Sequence, residues 1–111
     1  MSVIIKNVYM AQPAAANTTL YTCPANTQAR ILKCTVTNDT ITAATISFNK
    51  VPSGSAVAAT NLILNLKAIG NKETYECPEV VGQVLNAGYL ISAIASIVDQ
   101  LTVALDVVEI V

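Results

Sequence analysis

The stretch Thr18–Asn38, TTLYTCPANTQARILKCTVTN, decides how the chain is read. Thr18 to Cys23 is rich in β-branched and aromatic residues, which predicts a strand. Pro24-Ala25-Asn26 predicts a turn, because proline presets φ and asparagine tolerates the left-handed region. Arg30 to Asn38 then alternates. Leu32, Cys34 and Val36 are expected on one face, and Lys33, Thr35 and Thr37 on the other. A period of two is the mark of a half-buried strand.

The same grammar runs outward in both directions. Ser2 to Met10 alternates and predicts a strand. Its single charge, Lys6, suits an edge position. Ala11 to Asn17 predicts a loop, and residues 1–17 are set apart as an N-terminal strand or docking arm, with the sandwich proper over 18–111. After the Asn38-Asp39 turn, Ile41 to Lys50 is expected to return as the second arm of a long hairpin. Ala44, Ile46 and Phe48 should lie inside, and Thr45, Ser47 and Asn49 outside. Val51 to Ala59 reads as a flexible loop. Ala56 to Ala68 fits a helix by composition, but only a strand collects Leu62, Leu64 and Leu66 on one face, so the strand is preferred. Glu73 to Cys77 predicts a short strand with Tyr75 and Cys77 inward and Thr74 and Glu76 outward. Glu79 to Gly88 is a long connection with room for a helical turn at Val80 to Leu85. Tyr89 to Val98 predicts a strand covered on both faces. Leu101 to Val111 predicts a last strand with Leu101, Val103, Leu105 and Val107 on one face. The expectation is an all-β, antiparallel, jelly-roll-like sandwich of about eight strands.

Composition narrows the function. The 111 residues suit one domain. Apolar residues make up 53% and charged residues 12% of the chain, against about 25% charged in ordinary soluble domains. So neutral a surface is poorly protected against association, and the reading is that other subunits cover part of it. The six basic residues, Lys6, Arg30, Lys33, Lys50, Lys67 and Lys72, are scattered, and the net charge is −1. Nucleic-acid binding calls for clustered cations and stacking platforms, so no nucleic-acid partner is expected. No export signal is read at the N-terminus, where Lys6 and Asn7 interrupt the apolar run. No membrane segment is read either, since glycine and polar residues break Val80 to Val98.

The residue types of familiar active sites are sparse. The chain has no histidine, which removes Ser-His-Asp catalysis. Cys23, Cys34 and Cys77 lack CxxC spacing, and they are expected to be reduced, packed thiols. Glu73, Glu76 and Glu79 are close in sequence, but Glu73 and Glu76 fall on opposite faces of a strand, so they do not make a glycosidase pair. Asn38-Asp39 is too sparse for a calcium loop. Ser53-Gly54-Ser55 lacks the lysine and helix start of a phosphate loop. Tyr9, Tyr21 and Tyr89 could form a sugar platform or serve as core. No catalytic, metal or cofactor-binding residue and no cofactor is assigned.

One resemblance is specific enough to name. Thr19, Tyr21, Thr22 and Pro24, followed by Asn38, form a Thr-x-Tyr-Thr-x-Pro, turn, strand, Asn-turn pattern. A Val-Pro-Ser-Gly loop follows at Val51 to Gly54. Then come a leucine-rich strand, the Glu73 to Glu76 edge, a Gly-x-x-Ile-x-Ala-x-Ala strand through Gly88, Ile91, Ala93 and Ala95, and the ending Asp106 to Ile110. Over Thr18 to Val111 the chain resembles small all-β virion proteins of tailed bacteriophages, of the capsid decoration or cement type, and related head and tail accessory proteins. The resemblance implies a non-enzymatic homo-oligomer, a dimer or trimer, that clamps the major capsid protein or another virion protein. It also implies assembly in the bacterial host cytoplasm and residence in the virion. Ser2–Asn17 and Val51–Ala59 are the expected shell contacts. A tail or head–tail accessory subunit and a carbohydrate-binding module for host recognition are the alternatives.

Overall fold

A computed structural model describes all of residues 1–111 and shows an all-β sandwich. Nine strands form two antiparallel sheets: β1 (Val3–Ala11), β2 (Thr18–Thr22), β3 (Gln28–Asn38), β4 (Ala44–Val51), β5 (Leu62–Ile69), β6 (Thr74–Tyr75), β7 (Val84–Leu85), β8 (Leu90–Ala95) and β9 (Leu101–Ile110). One sheet runs β1-β9-β3-β6, with β7 also on β3; the other runs β2-β8-β4-β5. The pairs β1·β9, β2·β8, β3·β6 and β4·β5 are all antiparallel. They are the rungs of one long hairpin, its tip between β4 and β5, wound so that successive rungs fall in alternate sheets.

The core lies between the sheets. Phe48, Ile31, Ile46, Ile69, Leu85, Ile91, Leu101 and Leu105 are its largest fully buried side chains. The period of two is clearest in β9, where Leu101, Val103, Leu105 and Val107 are buried and the intervening residues half-exposed. Each fully buried aliphatic or aromatic side chain contributes about 1.5–3 kcal/mol.

Several expectations need correction. β3 and β4 do not pair as a hairpin. They belong to opposite sheets, and residues 39–43 carry the chain over the end of the sandwich. Asn38 makes this corner possible. It is fully buried, and its side-chain amide donates to the Thr42 (2.9 Å) and Ile69 (3.0 Å) carbonyls, while its Oδ1 accepts from the Thr40 amide. Leu32 leaves the inner face that Cys34 and Val36 keep, because a bulge between Ile31 and Lys33 resets the alternation and leaves Leu32 exposed. Leu66 also turns out to solvent. It sits at φ +49 in a bulge where one extra residue opposes β4, and Ile69 reaches the core instead.

Ser47 and Asn49 are buried rather than exposed, since the segment around β5 covers them. Ser47 Oγ accepts from the Leu66 amide (2.8 Å), and Asn49 donates to the Ala58 carbonyl (2.9 Å). β4 begins at Ala44, not Ile41, and β8 ends at Ala95, not Val98. The segment Ala56–Ala68 is mostly strand, with one 3-10 turn at Ala59–Asn61. Val80–Leu85 holds no helical turn: it closes with Val84–Leu85 paired to β3. The Glu73–Cys77 strand shrinks to Thr74–Tyr75, because Cys77 adopts φ +46 ahead of Pro78.

Candidate interaction surface

β1 is paired along its whole length with β9 and forms the outer edge of its sheet. Ser2 and Val111 exchange both backbone hydrogen bonds (3.0 and 2.9 Å). Antiparallel geometry then directs the polar groups of Ile4 and Lys6 toward β9, and those of Val3, Ile5 and Asn7 away from it. A bulge between Asn7 and Tyr9 ends the regular run. There the Asn7 side-chain amide donates to the Leu105 carbonyl (3.1 Å) and Asp106 Oδ1 (2.8 Å). On the outer face of the sheet this strand also carries uncovered apolar side chains: Val3 is 60%, Ile5 72% and Met10 66% exposed. Val108 and Ile110 of β9 stand opposite Ile5 and Val3 and extend the apolar strip.

The other sheet edges are blunted. β6 and β7 are two residues each. β5 is interrupted by two register shifts. β2 is five residues long with a shift between Thr19 and Tyr21, and the preceding loop is tied down beside it, Ala14 accepting from the Ala95 amide (3.2 Å). Proteins protect sheet edges by such devices. Only the nine-residue β1 lacks them over its first half.

A buried polar clasp fixes this edge to both sheets. Glu109 continues the inward series of β9 and is 4% exposed. Lys6 Nζ of β1 lies 3.0 Å from its carboxylate, and the Tyr21 hydroxyl of β2 donates to it from the opposite sheet. The Tyr21 hydrogen bond, helped by Lys6, holds the Glu109 carboxyl below the usual range against the opposing effect of burial. Burial and the adjoining carboxylate push the Tyr21 phenol up, so it stays a donor. Burial likewise pushes the nearby Cys23 thiol up. Lys6 spends its charge on Glu109 and does not guard the open edge. The sequence signal for Glu109 was its phase with Leu101 to Val107. Its partners, at the far end of the chain, had no such signal.

The remaining residues singled out from sequence fall in separate places. All three cysteines are buried thiols. Extending the β3–β6 register of Val36 with Tyr75 puts Cys77 opposite Cys34, and the Cys77 thiol and burial hold Cys34 protonated. Glu79 accepts from the Tyr75 hydroxyl (2.5 Å), whereas Glu73 caps the Gly70 amide. The Tyr75 hydroxyl is pushed up to about 12, by burial first, and Glu79 is lowered by the bond from Tyr75. Tyr21 is buried, and Tyr9 and Tyr89 are half-buried against the core, so they make no exposed platform. No three His, Cys, Asp or Glu side chains gather as a metal site. The Val51–Ala59 loop is braced by Asn49 and by Asn61, whose amide donates to the Ala56 carbonyl (2.9 Å). The boundary at residue 17 falls in the loop after β1, which is itself a strand of the sheet.

No family model, curated protein or solved structure matches the chain.

Proposed function

We propose that the chain is a non-enzymatic structural subunit that works by surface association, of the kind that decorates or cements a tailed-phage capsid. The observation that carries the reading is the uncovered apolar edge of β1, clasped by Glu109 to a braced sandwich. Exposed apolar surface on a rigid scaffold supports an association role. The strand order, β1-β9-β3-β6 against β2-β8-β4-β5, supports reading the sandwich as a jelly roll, an architecture that recurs among viral capsid and lectin domains. The virion assignment rests on the sequence resemblance through Thr19, Tyr21, Pro24 and Asn38. In this reading the major capsid protein is the partner, and many weak contacts are strengthened by oligomerisation. Reduced cysteines fit assembly in a bacterial cytoplasm.

The test is quantitative mass spectrometry of density-purified particles from cells carrying the gene. A copy number comparable to that of the shell subunits supports decoration. A few copies per particle supports the tail or connector alternative. Absence from particles contradicts a virion role.

A further inference from the structure

We propose that β1 pairs with β1 of a second copy, antiparallel across a twofold axis at Ile5, joining the two sheets edge to edge. The inference deepens the association reading above by naming the surface and its occupant. Val3, Ile5 and Asn7 turn their amides and carbonyls outward, and an incoming strand satisfies such a row in register. The bulge at Val8 limits the regular run to Val3–Asn7, whose centre is Ile5. Antiparallel pairing about that centre sets Ile5 against its own counterpart and Val3 against Asn7 of the second copy. Every outward group of the run then has a partner, so the segment is self-complementary.

Charge agrees with this occupant. Lys6 is the only side chain of the strand charged at neutral pH, and Glu109 lies 3.0 Å from it as its counter-ion. Two copies therefore approach without an unpaired like charge. A foreign peptide added to a sheet edge gains its specificity from pockets for alternate side chains. The grooves of this molecule lie elsewhere, around Leu32 and Pro78, around Pro52 and Tyr89, and around Leu66 and Ile94; none is lined by a β1 residue. A second copy needs no such pocket. A contact over five residues of one edge strand is small by the standards of stable dimers, which bury ~1,200 Å² or more in total, so the association is weak and concentration-dependent. Pairing would also double the number of shell-binding surfaces per unit.

The test combines mass in solution with cysteine cross-linking of the full chain. Sedimentation equilibrium should give twice the 11.6 kDa chain mass at high micromolar concentration. Ile5→Lys sets two cations against each other and should return the mass to that of one chain. Ile5 is 72% exposed, so at dilutions where the parent is a single chain this variant keeps the parent's thermal midpoint. Under mild diamide oxidation Ile5→Cys should form a covalent dimer. Val3→Cys alone should not, whereas a mixture of Val3→Cys and Asn7→Cys should. The three natural cysteines are buried and give no background. A monomeric parent at these concentrations overturns the proposal. So does an Ile5→Lys protein that still associates, or cross-linking that ignores the register. Particle copy number is independent of these readouts, so a lost dimer and a lost virion role are told apart.

Discussion

Tyr21→Phe isolates the clasp that ties β1 to the rest of the sandwich. The substitution removes one hydroxyl and keeps the ring in its buried seat, so it opens no large cavity. What it removes is a donor to the carboxylate of Glu109, a residue only 4% exposed. A hydrogen bond to a charged group contributes about 1.5–3 kcal/mol. The surviving partner, Lys6, is too open to compensate: its side chain is 44% exposed, and such a pair is worth at most about 1 kcal/mol. The expected loss at pH 7 is therefore about 1.5–3 kcal/mol, or roughly 6–12 °C in thermal midpoint for a domain of this size. The pH dependence has a definite sign. The folded-state value of Glu109 is depressed, so its contribution is fully present above the unfolded value, about 4.3, and is lost as pH falls through the lower folded value. The parent and Tyr21→Phe curves should therefore converge on acidification. Tyr21 is shifted the other way, and its contribution is lost as pH rises above its unfolded value of about 10. Urea titrations followed by circular dichroism at neutral pH and at about pH 3 make the comparison. A Tyr21→Phe protein within about 0.5 kcal/mol of the parent at pH 7, or a difference unchanged by acid, would refute the clasp.

Three further substitutions probe the frame around that surface. Gly88→Ala should cost about 2–4 kcal/mol in urea unfolding, since a Cβ would stand 2.4 Å from Ser53 Oγ at φ +83; adding Ser53→Gly should recover only the steric part. Leu66→Asn should stabilise by about 0.5–1 kcal/mol by the same measurement, because an exposed leucine is held at φ +49 and asparagine tolerates that region better. Asn38→Ala should cost about 2–4 kcal/mol, as it strips the Thr42 and Ile69 carbonyls of their buried donor; a neutral result would mean that the corner between β3 and β4 does not depend on it.

The sandwich was legible wherever burial and backbone period coincide. β9 shows this best: its alternation survives from Leu101 to Val107 because its register with β3 and β1 puts one face wholly inside. Alternation fails at bulges. Leu32 and Leu66 look inward by count, but one extra residue in each strand reverses them. Nothing in a leucine's identity announces that insertion. Pairing partners are hidden for another reason. β3 and β4 adjoin in sequence, but the corner held by Asn38 sends them to opposite sheets, and a strand's alternation carries no information about its neighbour. The edge role of β1 was readable from Lys6. Its clasp was not, because Tyr21 and Glu109 lie far apart in the chain and meet only when the sheets close.

If β1 pairs in solution, its outward backbone amides are shielded from solvent. Residue-resolved amide hydrogen exchange by NMR reads this directly. Ile4 and Lys6 face β9 and should be protected at every concentration. The predicted result is that Val3, Ile5 and Asn7 gain protection as concentration rises through the micromolar range, and lose it in Ile5→Lys. Exchange of those three amides at unprotected rates, at all concentrations and beside protected Ile4 and Lys6, would contradict it.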